Sequence, residues 1–269
     1  MDKHLFELSE LVIEAGQKIM EIYSNDFDIY TKQDESPVTE ADQLAEKIIL
    51  NGLSAINPDI LVIAEELASE GKLPELTDQA KKQFYLVDPL DGTKEFINKR
   101  DEFTVNIALI ENGKPVIGII FAPALGTLYV GDVRQEFAHM YQLNAAFDLK
   151  EPTQVKDITA LKAPNKPLKI LASRSHINQQ TLDYIKQAKE KHNDLEIMNI
   201  GSSLKLCLLA EGKADIYPRF GPTMEWDIAA GHAILAAAKG KLHDLDGAEF
   251  TYGHQENKYL NGYFIAYSN

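Results

Sequence analysis

Two short apolar runs in this chain end directly in carboxylates, and a third acidic site opens an alanine-rich helix. Whatever fold forms must therefore handle acid at the ends of its elements. The first run, Leu61-Val62-Ile63, leads into Ala64-Glu65-Glu66. The second, Tyr85-Leu86-Val87, leads into Asp88-Pro89-Leu90-Asp91-Gly92-Thr93. Both runs have the length and side chains of short buried strands. The third site is Trp226-Asp227, placed immediately before a helix predicted over Ile228–Ala238. Carboxylates at element ends project into clefts, and several converging on one point cannot all stay ionised unless cations join them. Hard oxygen ligands select Mg²⁺ or Mn²⁺ over zinc, and Mg²⁺ keeps positions for water and substrate phosphate. Asp88 and Asp91 flank Pro89-Leu90, read as a tight turn with the Leu90 carbonyl facing inward. Gly92-Thr93 then opens a short helix whose free N–H groups suit a phosphate oxygen. Spacing alone leaves a second reading open, an ordinary acidic turn that caps a helix.

Composition excludes several function classes. The 269 residues carry 27 Lys and Arg against 41 Asp and Glu, a net charge of −14. A duplex-binding protein needs cations to displace counterions, so a nucleic-acid polymer is not the expected partner. With 45% apolar and 25% charged residues the chain is globular, and it is long enough for one large domain or two subdomains around a cleft. Cys207, the single cysteine, lies in Leu206-Cys207-Leu208-Leu209 and reads as a buried inert thiol in a reducing compartment. Met1-Asp2-Lys3-His4 leads into an amphipathic pattern, not a signal-peptide core. No apolar run approaches the ~20 residues needed to span a bilayer. A soluble cytoplasmic protein is the expectation. The histidines (His4, His139, His176, His192, His232, His243 and His254) show no i, i+4 pair, and His232 reads as a packed core residue. Asp244-Leu245-Asp246-Gly247 reads as a turn and not a Ca²⁺ loop. Phosphate-loop, dinucleotide and nucleophile-elbow signatures are absent from the sequence.

Periodicity predicts an opening helix from Leu5 to about Tyr23, then a polar stretch over Ser24–Pro37. Thr39 and Asp42 form an N-cap pattern for a second helix through Leu53. A short helix near Lys94–Asn98 precedes strands at Thr104–Ile110 and Pro115–Phe121, joined by Glu111-Asn112-Gly113-Lys114, and a further strand at Thr127–Val130. Prolines 152, 164 and 167 mark Glu151–Pro167 as a boundary, dividing an α+β half (1–155) from an α/β half (156–269). The second half reads as strand Lys169–Ala172, helix Gln179–Lys191, strand Leu195–Ile200, helix Ser203–Glu211, strand Asp215–Pro218, then the helix Ile228–Ala238 closed by Gly240.

Asp88-Pro89-Leu90-Asp91-Gly92-Thr93 resembles the signature of the Mg²⁺-dependent, Li⁺-sensitive phosphatase superfamily that includes inositol monophosphatase and fructose-1,6-bisphosphatase. Glu65-Glu66 and Trp226-Asp227-Ile228-Ala229-Ala230-Gly231 are its usual companions, in the expected order. Lys94-Glu95-Phe96-Ile97, Ser36-Pro37-Val38-Thr39, Gly201-Ser202-Ser203-Leu204-Lys205 and Tyr217-Pro218-Arg219-Phe220-Gly221-Pro222-Thr223 are most similar to the branch of 3'(2'),5'-bisphosphate nucleotidases of bacterial sulfate assimilation. The resemblance implies a layered αβαβα sandwich and hydrolysis of adenosine 3',5'-bisphosphate, or of 3'-phosphoadenylyl sulfate, by metal-activated water. It implies two or three Mg²⁺ ions held by Glu65, Asp88, Asp91, Asp227 and the Leu90 carbonyl. Thr93, with Glu65 or Asp42 as acidic partner, would orient and deprotonate the water. The scissile phosphate would lie against Glu65, Leu90, Asp91, Gly92, Thr93 and Asp227. Ser202, Lys205 and Arg219 would meet the rest of the nucleotide, since a bisphosphate needs a cation that an acidic site lacks. Other readings stand beside these. Asp42 can serve only as the helix-capping partner of Thr39, Glu66 only as a structural carboxylate, Lys205 as a snorkelling side chain and Arg219 as a surface ion-pair partner. At the level of function the rivals are a phosphatase of inositol or sugar phosphates and a catalytically silent nucleotide-binding regulator. Relatives leave peripheral placement at the inner face of a bacterial membrane open.

Overall fold

The computed structural model describes residues 1–25, 29–31, 37–161, 164–175, 177–192 and 194–268. Ser36 of the nucleotidase-like stretch, His176 and part of the polar stretch after Ser24 lie outside the described residues. In chain order the elements are α1 (Lys3–Tyr23), the paired strands β1 (Ile29–Thr31) and β2 (Pro37–Thr39), α2 (Glu40–Ile56), β3 (Leu61–Ala64) and α3 (Glu65–Ser69). Next come β4 (Gln83–Asp91), α4 (Thr93–Ile97), β5 (Thr104–Glu111), β6 (Lys114–Ala122), β7 (Thr127–Asp132), β8 (Phe137–Gln142) and β9 (Gln154–Asp157). The second half adds β10 (Leu168–Ser173), α5 (Gln179–Lys191), β11 (Leu195–Ile200), α6 (Leu204–Ala210), β12 (Ile216–Arg219), α7 (Glu225–Ala237), β13 (Lys241–Asp244) and β14 (Phe264–Tyr267).

Local chemistry explains the well-defined ends. Asp2 caps α1 by accepting from the Leu5 amide at 2.9 Å. Thr39 and Asp42 close a capping box on α2, with Thr39 N donating to Asp42 Oδ2 at 2.7 Å. Between β5 and β6, Asn112 and Gly113 both take positive φ, 50° and 77°, which a two-residue hairpin loop with the strands' own twist demands.

Strands β3 to β9 form a seven-stranded sheet in sequential order, antiparallel except for the parallel pair β3/β4. The second sheet has the order β11-β10-β12-β14-β13. Alternating side chains of the large sheet serve two cores. Tyr85, Val87, Ile107, Ile119 and Phe121 meet α1 and α2, whereas Phe84, Leu86, Ile110 and Ile120 meet α6, α7 and the smaller sheet. Ile185 of α5 packs on Ile170 and Ala172 at the far face of that smaller sheet. The layers therefore run helix, sheet, helix, sheet, helix, as expected.

The middle layer is held close by glycines. A Cβ on Gly118 of β6 would stand 2.1 Å from the Ala230 carbonyl oxygen of α7, and one on Gly131 of β7 would stand 2.7 Å from Ile234 Cα. Helix α7 is apolar on every side and almost wholly buried, as a helix between two sheets must be.

Several sequence expectations are corrected. The polar stretch contributes the β1/β2 pair. Pro89-Leu90 is not a tight turn. Strand β4 runs through to Asp91, with a one-residue irregularity between Asp88 and Asp91 where it pairs with β5. Asp227 lies inside the first turn of α7, not before the helix, because the cap is Met224. Strand β9 falls within the expected boundary and ends two residues past position 155; it is a mostly exposed polar edge strand, so it lacks the apolar alternation that announces a strand.

Candidate active site

The site is assembled where the irregular end of β4, the start of α3 and the first turn of α7 come together. Glu65, Asp88 and Asp227 each bring a carboxylate oxygen within 4.8 Å of the others. At the strand irregularity between Asp88 and Asp91, Asp88 Oδ1 accepts the Leu90 amide at 3.0 Å, and Asp91 lines the cleft. Asp227 Oδ2 accepts the Met224 amide at 2.8 Å, as an acidic residue in a first helical turn does.

Burial and mutual repulsion make this grouping unstable as free carboxylates. Asp88 is pushed well above the usual carboxylate range, first by burial and then by Glu65, Asp91 and Asp227. Asp227 is also pushed well up, by burial and then by Asp91 and Glu65, against the Met224 amide. Asp91 rises to about 6, again through burial, with Lys205 and the Ser203 amide holding it down. Asp88, Asp91 and Asp227, hard oxygen donors whose ionised state is disfavoured, fit a divalent cation, which would reverse that cost.

Beside the carboxylates stands a hydroxyl with two acceptors. Thr93 Oγ1, at the start of α4, lies 3.2 Å from Asp42 Oδ1 and 3.2 Å from the Leu90 carbonyl. Asp42 meets Thr93 with one oxygen and caps α2 with the other, so the capping and Thr93-partner geometries coexist. Gly92 precedes Thr93 at φ 94°, and a Cβ there would approach the Glu102 carbonyl oxygen to 3.0 Å.

The same cleft also holds cations. Lys205, on α6, is buried, with Nζ donating to the Ile200 carbonyl at 3.2 Å and lying 5.4 Å from the Tyr217 ring centre. Burial pushes its ammonium down to about 8 although Asp91 favours the charge. Arg219, at the end of β12, donates Nη2 to the Pro222 carbonyl at 2.8 Å, while its buried Nε has no hydrogen-bond partner among the described residues. Ser202 takes φ 49° in the turn between β11 and α6, and lines the cleft with Gly201 and Ser203. Carboxylates, Thr93 and both cations line one cleft of about 280 Å³.

Other sequence candidates fall outside this arrangement. Glu66 turns to the Ser69 hydroxyl of its own helix, at 3.3 Å, and is not part of the carboxylate trio. His232 contacts the Tyr252 hydroxyl at 2.9 Å, and burial pushes its value down to about 4, which fits the neutral core residue expected. Cys207 is fully buried with its thiol pushed well up by burial. Asp244 Oδ1 accepts the Asp246 and Ala248 amides, the turn that was expected. Glu95 and Tyr217, given no role from the sequence, also line the cleft. Glu95 is buried and accepts from Ser175 Oγ, and Tyr217 lies under Lys205. Both stand inside stretches quoted for their resemblance, which is the only signal that could have found them.

Comparison with known proteins supplies the remaining observations. The model of the inositol monophosphatase family matches residues 1–263. The 3'(2'),5'-bisphosphate nucleotidase CysQ of Salmonella typhimurium is 41% identical over 259 residues, covering 96% of each chain. The nucleotidase of the same name from Escherichia coli K12 is 39% identical over the same share. Among solved structures, CysQ from Bacteroides thetaiotaomicron, described as a bacterial member of the inositol monophosphatase family, superposes with a TM-score of 0.81 at 36% identity, covering 98% of this chain and 96% of that one.

Proposed function

The chain belongs to the inositol monophosphatase family, and from that premise we propose that it hydrolyses adenosine 3',5'-bisphosphate to AMP and phosphate with Mg²⁺ as its metal. It is a phosphoric monoester hydrolase of the 3'(2'),5'-bisphosphate nucleotidase class. By the same chemistry, 3'-phosphoadenylyl sulfate would give adenylyl sulfate and phosphate.

The observation that carries the substrate reading is that buried cations share the cleft with the carboxylates. The cleft holds the carboxylates and, close to Asp91 and Asp227, the buried Lys205 and Arg219. A substrate with two phosphates would offer one group to the carboxylate-held metal and one to the cations. An inositol monophosphate would bring no second phosphate to these cations.

Glu65, Asp88, Asp91, Asp227 and the Leu90 carbonyl would hold two or three Mg²⁺ ions. When bound, these supply Lewis-acid polarisation of the phosphoryl oxygens and a lowered pKa for water. The protein's own groups do the rest. Thr93 Oγ1 lies at hydrogen-bond distance from Asp42 Oδ1, an arrangement that lets the hydroxyl orient a water and pass its proton towards Asp42. The observed contact favours Asp42 over Glu65 as that acidic partner. Lys205, Arg219 and Ser202 would fix the second phosphate and sugar. The division into subdomains 1–155 and 156–269 enters this reading as a proposal: the first supplies most ligands, and the second supplies Asp227, Lys205 and Arg219.

No helix among the described residues is long and apolar enough to cross a membrane. We place the enzyme in the cytoplasm, where its nucleotide substrate would be; peripheral membrane attachment has no observation behind it here.

Phosphate release from adenosine 3',5'-bisphosphate and inositol 1-phosphate, side by side with Mg²⁺, EDTA and Li⁺, tests this reading. Mg²⁺-dependent, Li⁺-sensitive release that favours the nucleotide is expected. Preference for the inositol ester would overturn the substrate assignment, and release from neither would favour the silent regulator.

A further inference from the structure

Helix α3 is capped from another helix. Its own N-cap residue, Ala64, offers no side-chain acceptor. The amides of Glu66 and Leu67 instead donate to Glu46 Oε2 and Oε1, at 2.7 and 3.0 Å. Glu46 belongs to α2 and is 5% exposed. It stands four residues after Asp42, and helical positions i and i+4 share a face. One face of α2 therefore presents Asp42 to the Thr93 hydroxyl and Glu46 to the turn that begins with Glu65.

A carboxylate accepting two successive amides fixes both the position and the rotation of a first helical turn, and the dipole of that turn favours the charge. Glu65 is the residue whose direction is thereby set. We infer that Glu46 is the positioning residue for Glu65, holding its carboxylate at the angle that meets Asp88 and Asp227. Glu46 itself is neither in the carboxylate trio nor among the residues that line the cleft. With Asp42 it makes α2 a common brace for the water-orienting hydroxyl and for one arm of the metal site. This inference rests on the metal-site reading above.

Glu46→Gln keeps the shape but turns one acceptor into an NH₂ group that faces an amide donor, so one of the two bonds is lost. Mn²⁺ binding to the full chain is followed by the free-ion paramagnetic resonance signal, beside the Mg²⁺ requirement and KM of phosphate release. Loss of an outlying bond of this kind predicts a roughly tenfold weaker Mn²⁺ affinity and a matching rise in half-saturating Mg²⁺. At saturating Mg²⁺, kcat and KM should stay within about twofold of the unaltered chain. Glu46→Asp retains the charge at a shorter reach and, as the milder variant, should weaken Mn²⁺ binding several-fold less than Glu46→Gln. Unchanged Mn²⁺ affinity in folded Glu46→Gln, with only a lower melting temperature, would make Glu46 merely structural and overturn the inference. Absence of Mn²⁺ binding by the unaltered chain would overturn the metal-site reading first and this inference with it.

Discussion

Lys205 concentrates the residue-scale problem of the site, an ammonium buried in a cleft beside carboxylates. Burial drives its value down to about 8 while Asp91 holds it up. A lowered value means the charge is present below about pH 8 and lost as pH rises through it. If Lys205 meets the second phosphate, KM for adenosine 3',5'-bisphosphate should climb above pH 8, and Lys205→Met should show a raised KM that no longer changes there. A pH-independent KM in the unaltered enzyme would remove Lys205 from substrate binding. The carboxylates were legible in the sequence because each sits in a short string beside an apolar run, and Asp42 because Thr39 stands three residues before it. Glu46 was not legible, since its two acceptor bonds reach residues 20 and 21 positions away, on another helix. The partnerless Nε of Arg219 depends on how β12 is buried, which no string of residues announces.

At the scale of elements, the position of Asp227 depends on how tightly α7 lies on the large sheet. Gly118 allows that approach, because any Cβ there would meet the backbone of Ala230 at 2.1 Å and Ala233 Cβ at 2.9 Å. Backbone cannot rotate away as a side-chain tip can. Gly118→Ala should therefore cost roughly 1–3 kcal/mol by overpacking, read as a melting temperature lower by several degrees. A Cβ at Gly262 would meet nothing within 4 Å, so Gly262→Ala should stay within about 0.5 kcal/mol of the unaltered chain. Equal melting temperatures for the two variants would show that α7 can shift freely. Helix α5 and strand β11 match their predicted limits, because strong periodicity and clear caps mark them. The end of β4 was misread as a turn because Pro89 and Gly92 are the usual residues of turns. Here the Asp88 side chain absorbs the irregularity while the strand continues.

Taken as a whole molecule, the protein uses two sheets and three helical layers to gather acid from distant parts of the chain. Ligand candidates at positions 65, 88 and 227 are joined by core residues from both halves, so neither half completes the trio alone. The αβαβα order was legible through resemblance, while the change of pattern past the proline-rich boundary gave only an α/β half after an α+β half. Strands β13 and β14 beyond Gly240 were not read from periodicity. The net charge of −14 makes sense if metal ions, not surface cations, screen an anionic substrate at the site. The central claim is that Glu65, Asp88 and Asp227 form a metal centre. Anomalous diffraction from a crystal grown with Mn²⁺ tests it most directly. A peak bonded to oxygens of all three carboxylates is the result this account predicts. A crystal with those carboxylates still gathered, their side chains well resolved and no anomalous peak between them would contradict it.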